Sequence, residues 1–163
     1  MFEQDFVNLI SRLARYSGED EATGLRNLRQ FLHDTERELA RSRRTGENLR
    51  ILVVEPDSGI SLAEVVRVVQ ECLSHEDLFA RIGSRCLGLL VAEEFEVSPV
   101  DLIYSRLESL TPFSMGERRI AHPDFLTISA QTLLQNALQV LETAKAEGGN
   151  RHIVWQSDRM AVH

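Results

Sequence analysis

One interruption in a regular alternation limits what this chain can fold into. From residue 49 onward, short apolar runs alternate with stretches of helical period. There is a run at 49–54, a helix at 61–73, runs at 77–82 and 86–92, a helix at 99–110, a run at 113–121, a helix at 129–147 and a run at 152–156. Ile51-Leu52-Val53-Val54 is short, continuous and largely β-branched, the pattern of a strand buried on both faces. Most runs are separated by a helix, which is long enough to carry the chain across a sheet. Residues 77–82 and 86–92 are separated by Gly83-Ser84-Arg85 alone, and that spacing makes a hairpin.

The helices carry their own start and stop signals. Ser61 stands at an N-cap with Glu64 three residues on, a capping box. Pro99 follows Ser98 where the first helical position should be, and Gly148-Gly149 stops the last helix. Upstream, Leu25, Leu28, Phe31, Leu32 and Leu39 mark the apolar face of a long helix, whose last turns hold Arg41, Arg43 and Arg44 before Gly46. Arginines there suit the negative end of the helix dipole and Gly46 suits the C′ position, a reading preferred to a phosphate site. Before that helix, Phe2, Phe6, Leu9, Ile10, Leu13 and Tyr16 recur at three- and four-residue spacing and predict an amphipathic helix over 2–16. Residues 19–23 are expected to be a polar link that lets this first helix swing. The order is two helices, then βαββαβαβ. It predicts an α/β sandwich close to the ferredoxin-like arrangement, with a mainly antiparallel central sheet flanked by helices. The expected division is a helix at 1–18, a domain at 19–157 and a flexible tail at 158–163.

Charge narrows the partners. Eighteen Lys and Arg against twenty-five Asp and Glu leave a formal charge of -7, which argues against nucleic acid or anionic membrane as a partner. The longest apolar stretches, such as 87–92, are too short to span a bilayer, so no membrane insertion is expected. Glu3 and Asp5 stand where a signal peptide needs bases, and the expected location is cytoplasmic. Two cysteines make no disulfide framework. Cys72 falls on the apolar side of its helix and reads as core. Cys86, beside Arg85 at a turn, reads as a thiol of lowered pKa. Trp155 reads as a core anchor in the last strand. The five histidines show no metal-ligand spacing, and no phosphate-binding loop is present.

Four collinear segments give the chain a resemblance. Residues 20–29, Asp-Glu-Ala-Thr-Gly-Leu-Arg-Asn-Leu-Arg, are similar to the D-x-L-T-G-L-x-N-R opening of the GGDEF family of diguanylate cyclases. Residues 51–57 are placed like that family's strand ending in D-x-D. Residues 77–87 are similar to D-L-x-A-R-x-G-G-D-E-F, and residues 137–151 resemble its closing A-D-x-A-L-Y-x-A-K-x-x-G-R-N. The resemblance implies a GGDEF-type fold over residues 20 to about 156. It also implies a chemistry in which each subunit of a dimer holds one GTP, two divalent metals bridge carboxylates and phosphates, and cyclic di-GMP is formed.

Compared residue by residue, the resemblance also implies loss. The signature falls on Gly83, Ser84, Arg85, Cys86 and Leu87, so a permanent cation replaces the third-position acid and a soft thiol replaces the metal-binding fourth. Ser84 adds a side chain where the family has glycine. Glu55 stands for the metal-binding Asp at the end of the first strand. Residues 58–64 pass directly into a helix, without the Asn and Asp that read guanine or the Lys that faces phosphate. Lys145 matches a phosphate-binding Lys and is the candidate residual phosphate contact, but Gly149 stands where its partner Arg should be. The product-site motif R-x-x-D falls on Ser74-His75-Glu76-Asp77 and keeps its acid only. The expectation is therefore no catalytic residue, no metal and no cofactor. The chain is expected to be an inactive GGDEF-like module in a bacterial cyclic di-GMP-related pathway, working through a protein partner or a homodimer. Phe2, Phe6, Leu9, Ile10 and Leu13 are the expected interface. The alternative is a non-standard receptor that binds cyclic di-GMP or GTP without turnover.

Overall fold

The computed structural model describes residues 18–93 and 98–156. The expected interface, Phe2, Phe6, Leu9, Ile10 and Leu13, and the tail at 158–163 lie outside the described residues. The elements are α1 (Leu28–Thr45), β1 (Leu49–Pro56), α2 (Leu62–Cys72), β2 (Leu78–Arg81), β3 (Leu87–Ala92), α3 (Pro99–Leu110), β4 (Phe113–Ile120), a 3-10 turn (Asp124–Leu126), α4 (Ala130–Ala146) and β5 (His152–Val154). That is the order the alternation predicts.

The strands form one sheet in the order β2-β3-β1-β4-β5. Strand β1 is antiparallel to both β3 and β4, β2 is antiparallel to β3, and β5 is parallel to β4 across the α4 crossover. A central strand covered on both sides has no polar face to show, which is why β1 reads as a continuous apolar run. Its Leu52 and Val54 pack with Val65 and Val69 of α2 and Ile103 and Leu107 of α3. Its Ile51 and Val53 point the other way, to Phe31 and Leu39 of α1 and Leu133 and Leu141 of α4. Helix α4 lies close on β4. A methyl group at Gly116 would strike the Ala137 carbonyl oxygen and come within 2.8 Å of the Leu141 amide nitrogen.

The caps are local. Asn27 Oδ1 accepts from Gln30 N at 2.9 Å, Ser98 Oγ accepts from Val100 N at 3.2 Å, and Ser129 Oγ accepts from Thr132 N at 3.1 Å. Gly46 takes the left-handed conformation expected of a C′ glycine, with φ 77°. Arg43 donates to the Phe125 and Ile128 carbonyls at 2.8 and 3.0 Å, so this arginine joins α1 to the 3-10 turn.

Several expectations are corrected. Strand β1 runs on to Pro56 because β4 extends far enough to pair Glu55 with Ser114 and Pro56 with Phe113. The hairpin loop is residues 82–86, since Ile82 N and Gly83 N both donate to the Cys86 carbonyl. Ser61 is the N-cap of α2, yet its hydroxyl makes no capping bond. Strand β5 stops at Val154, and Trp155 is half-buried rather than a core anchor, with the Arg118 guanidinium 3.8 Å from its ring centroid.

The largest correction concerns residues 19–23, which are no loose link. Gly24 N donates to Asp20 O at 2.8 Å, Asp20 N to Leu25 O at 2.7 Å and Asn27 N to Gly18 O at 2.8 Å. The Asp20 carboxylate accepts from Thr23 N and Thr23 Oγ1 at 3.0 and 2.6 Å. Burial pushes the Asp20 pKa up, but the Thr23 bonds and the nearby Arg81 outweigh it and hold it below its usual value. The closed turn is tied to the sheet by a bridge from Arg26 to Ala80 and by Arg81 N donating to Arg26 O at 3.0 Å. Gly24, with φ 73°, permits the reversal.

Candidate functional site

The C-terminal end of β1, the β2–β3 turn, the start of β4 and the loop from α4 to β5 meet at one end of the sheet. Between them lies a cleft of about 430 Å³ with Glu55, Asp57, Ser84, Arg85, Ser114 and Asn150 on its walls. The sequence-predicted residues Ser84, Arg85, Cys86, Glu55 and Lys145 are thus gathered at this end, from segments up to ninety residues apart.

Two of the charged side chains there, Arg85 and Glu55, are already engaged. Arg85 Nη2 donates to the Asp57 and Ile60 carbonyl oxygens at 2.8 and 2.9 Å, which fastens the β2–β3 turn to the loop after β1. Its Nε is buried with no partner among the described residues. Lys145 Nζ lies 2.8 Å from Glu55 Oε2 and 3.4 Å from Glu142 Oε1. The hydrogen bond from Lys145 to Glu55 raises the lysine pKa. Next to the turn, Arg81 holds its shape by donating to the Gly83 and Ser84 carbonyls at 3.2 and 2.9 Å, and it pairs with Asp20 at 3.3 Å.

Cys86 faces away from this cleft, into the layer between α1 and α4. Desolvation, with Glu55 adding to it, pushes its pKa up to about 12, so the expected lowering by Arg85 is corrected. Arg85 is turned toward Asp57 and Ile60, and burial decides the thiol.

A divalent cation with oxygen ligands finds a poor donor set here. Glu55 is committed to Lys145, Arg85 brings positive charge, and Cys86 is a neutral, soft group. Among the described residues no three His, Cys, Asp or Glu side chains converge as a metal site. The residues do not suit a magnesium pair.

A second cleft, of about 670 Å³, follows the 18–26 turn and includes Ser74, His75 and Asp77. The Asp77 carboxylate accepts from Ser74 N and Oγ at 2.9 and 3.2 Å, so it closes its own turn before β2.

The sequence reading missed one charged cluster, at the other end of β1. Arg50 donates to Glu117 Oε2 and Oε1 at 2.9 and 3.1 Å and to Ser98 Oγ at 2.9 Å. Arg119 Nε and His152 Nε2 reach the same carboxylate at 2.7 and 2.9 Å. Burial pushes the Glu117 pKa up, but the His152 and Arg119 hydrogen bonds and the Arg50 charge prevail and bring it to about 2. The available signal was the pairing of two charged positions, 50 and 117, with strands that otherwise read as buried.

Comparison with solved structures decides the architecture. The coiled coil and GGDEF domain of DgcB from Caulobacter crescentus, solved with c-di-GMP, superposes with a TM-score of 0.70 at 16% identity, over 93% of this chain and 92% of that one. The chain has the fold of a GGDEF domain. The GGDEF domain of TpbB, also called YfiN, from Pseudomonas aeruginosa gives a TM-score of 0.73 at 18% identity, over 88% and 98% of the two chains. The diguanylate cyclase SiaD from Pseudomonas aeruginosa, solved with its activator SiaC, gives 0.69 at 20% identity, over 94% and 67%. No family model and no curated protein matches the sequence. Among the described residues of this GGDEF-type fold, no helix is long and apolar enough to cross a membrane.

Proposed function

We propose that this chain is a GGDEF-type domain that no longer makes cyclic di-GMP and serves as a signalling or protein-interaction module in a cyclic di-GMP-related pathway. The observation that carries the reading is that the signature corner commits its key charged groups to bonds within the chain. Arg85, at the position of an acid, is bonded to two backbone carbonyls, and Glu55, the one carboxylate placed like a metal ligand, is paired with Lys145. A nucleotide and two metals would have to displace both arrangements. The segment at 58–64 also lacks the guanine-reading residues that the resemblance calls for. The activator protein solved with SiaD supports, by analogy, a protein partner for this chain, and a second copy is the other expected partner.

The test is incubation of the purified chain with GTP and Mg²⁺ or Mn²⁺. No cyclic di-GMP above a no-enzyme blank is expected, and product would refute the proposal. Restoring Arg85→Asp with Cys86→Glu is expected to remain inactive, because the guanine-reading segment is still missing. The alternative receptor reading is favoured by one feature, the open cleft lined by Arg85, Ser114 and Asn150. Thermal shift with GTP or cyclic di-GMP separates the two, since a ligand at a hundred times its Kd adds about 2.7 kcal/mol of stability.

A further inference from the structure

On the α1–α4 face of the sheet, behind the signature turn, lies another cavity, of about 380 Å³. Its apolar wall is built by Leu28 and Leu32 of α1, Leu138 and Leu141 of α4, and Ile82 and Cys86 of the turn. Leu32, Ile82, Cys86 and Leu138 pack on the buried core yet stay only partly buried themselves, so they line a recess instead of closing it. Leu28 stands at the mouth and is 41% exposed. Concave, mainly apolar recesses with a few polar groups, of roughly 300–1,000 Å³, are the usual seats of small ligands.

Two wall residues stand where the quoted motifs carry charge. The opening D-x-L-T-G-L-x-N-R places arginine at position 28, and the signature places glutamate at position 86. This chain has Leu28 and Cys86 there. They come from distant segments and face one cavity. Leu28 and Cys86 thus give this recess apolar groups at both places. The buried thiol stays neutral and completes that wall.

The rim is polar and unbalanced. It carries Glu55 and Glu142 together with the amides of Gln131 and Gln135. Both carboxylates share a single cation, Lys145, at 2.8 and 3.4 Å. Two negative charges against one positive leave the rim with a surplus negative charge, which favours a cation at the mouth and disfavours an anion.

We propose that this cavity binds a small amphipathic molecule with an aliphatic body and a cationic head. The body lies against Leu28, Leu32 and Leu138, and the head turns to Glu142. The site adjoins the Arg85 cleft, with Glu55 on the wall of both, and takes its ligand without nucleotide.

The experiment is calorimetric titration of the full chain with octylammonium, 1-octanol and octanoate, which share one body and differ in the head. Saturable one-to-one binding is expected, with octylammonium at least tenfold tighter than octanoate and octanol between them. No saturable binding, or octanoate as tight as octylammonium, overturns the proposal. Leu28→Arg changes an exposed position, so the melting temperature should hold, and octylammonium is expected to weaken tenfold or more. Unchanged affinity in that variant overturns it. Glu142→Lys should reverse the order of octylammonium and octanoate, and an unchanged order overturns the assignment. Light scattering gives the remaining outcome. If the chain self-associates, ignores all three probes and becomes monomeric on Leu28→Arg, the occupant is a second copy and the proposal fails.

Discussion

Strand β1 carries charge at both ends, and the two ends handle it in opposite ways. At Arg50 the cluster is sealed. The Arg50 and Glu117 side chains are 8% and 0% exposed, and three cationic or hydrogen-bonding side chains converge on one carboxylate. At Glu55 the pair with Lys145 is open, with side chains 29% and 38% exposed. Charge held away from water is costly to leave unpaired, whereas a pair in solvent contributes little. The first end is therefore architecture, and the second is a surface that evolution can alter at small cost to the fold. That is where the signature residues differ.

The sharpest way to break this contrast is Glu117→Ala. Removing the shared carboxylate strands Arg50 in the core and is expected to destabilise the domain by about 3–5 kcal/mol, measured by urea unfolding. The same group sets an acid limit. Glu117 is depressed to about 2 in the folded state from a usual 4.5, so its contribution is complete above about pH 4.5 and is lost as pH falls toward 2. A Glu117→Gln variant should lack that part of the acid-induced loss. If wild type and variant lose stability in parallel between pH 5 and 2, as read by unfolding at each pH, the cluster is not what holds this end.

Next in size is Gly116→Ala, one residue from the cluster. The added methyl has no room between β4 and α4 and should cost about 1–3 kcal/mol. A neutral melt would mean that α4 moves away freely.

At the open end, effects should be smaller. Arg85→Met removes the fastening between the hairpin turn and the loop after β1, with an expected loss of about 1 kcal/mol. Amide exchange should rise at residues 57–60 rather than across the sheet. Lys145→Met should change stability by less than about 1 kcal/mol, and the change should shrink with salt. A loss as large as that from Glu117→Ala would erase the distinction between the two ends.

What could be read from the sequence follows the same division. The strand and helix order was legible because β1 is buried on both faces and each helix has one apolar stripe, so periodicity reports burial directly. The signature residues were legible because they are consecutive, 83–87, running from the turn into β3. The Glu55–Lys145 pair was not, since ninety residues separate its members and only the parallel β4–β5 crossover brings them together. The thiol of Cys86 was misread because a neighbour in sequence, Arg85, points to the opposite side of the turn. The closed turn at 18–27 was misread as a link because its stability lies in backbone bonds and one Asp-Thr contact, which composition does not display.

That turn has a consequence for how copies of the molecule behave toward one another. β2 is an outermost strand, and a bare outermost strand recruits extended segments from other chains. The Arg26–Ala80 bridge and the bond from Arg81 N to Arg26 O lay a piece of the chain along that border. At the far border, β5 is only three residues long, too short to template much pairing. One flank is shielded by a folded loop and the other by brevity. A chain trimmed at its start to residue 28 would keep nearly all of its core and lose the shield, so the first penalty for that cut would be aggregation through the border of β2 rather than unfolding.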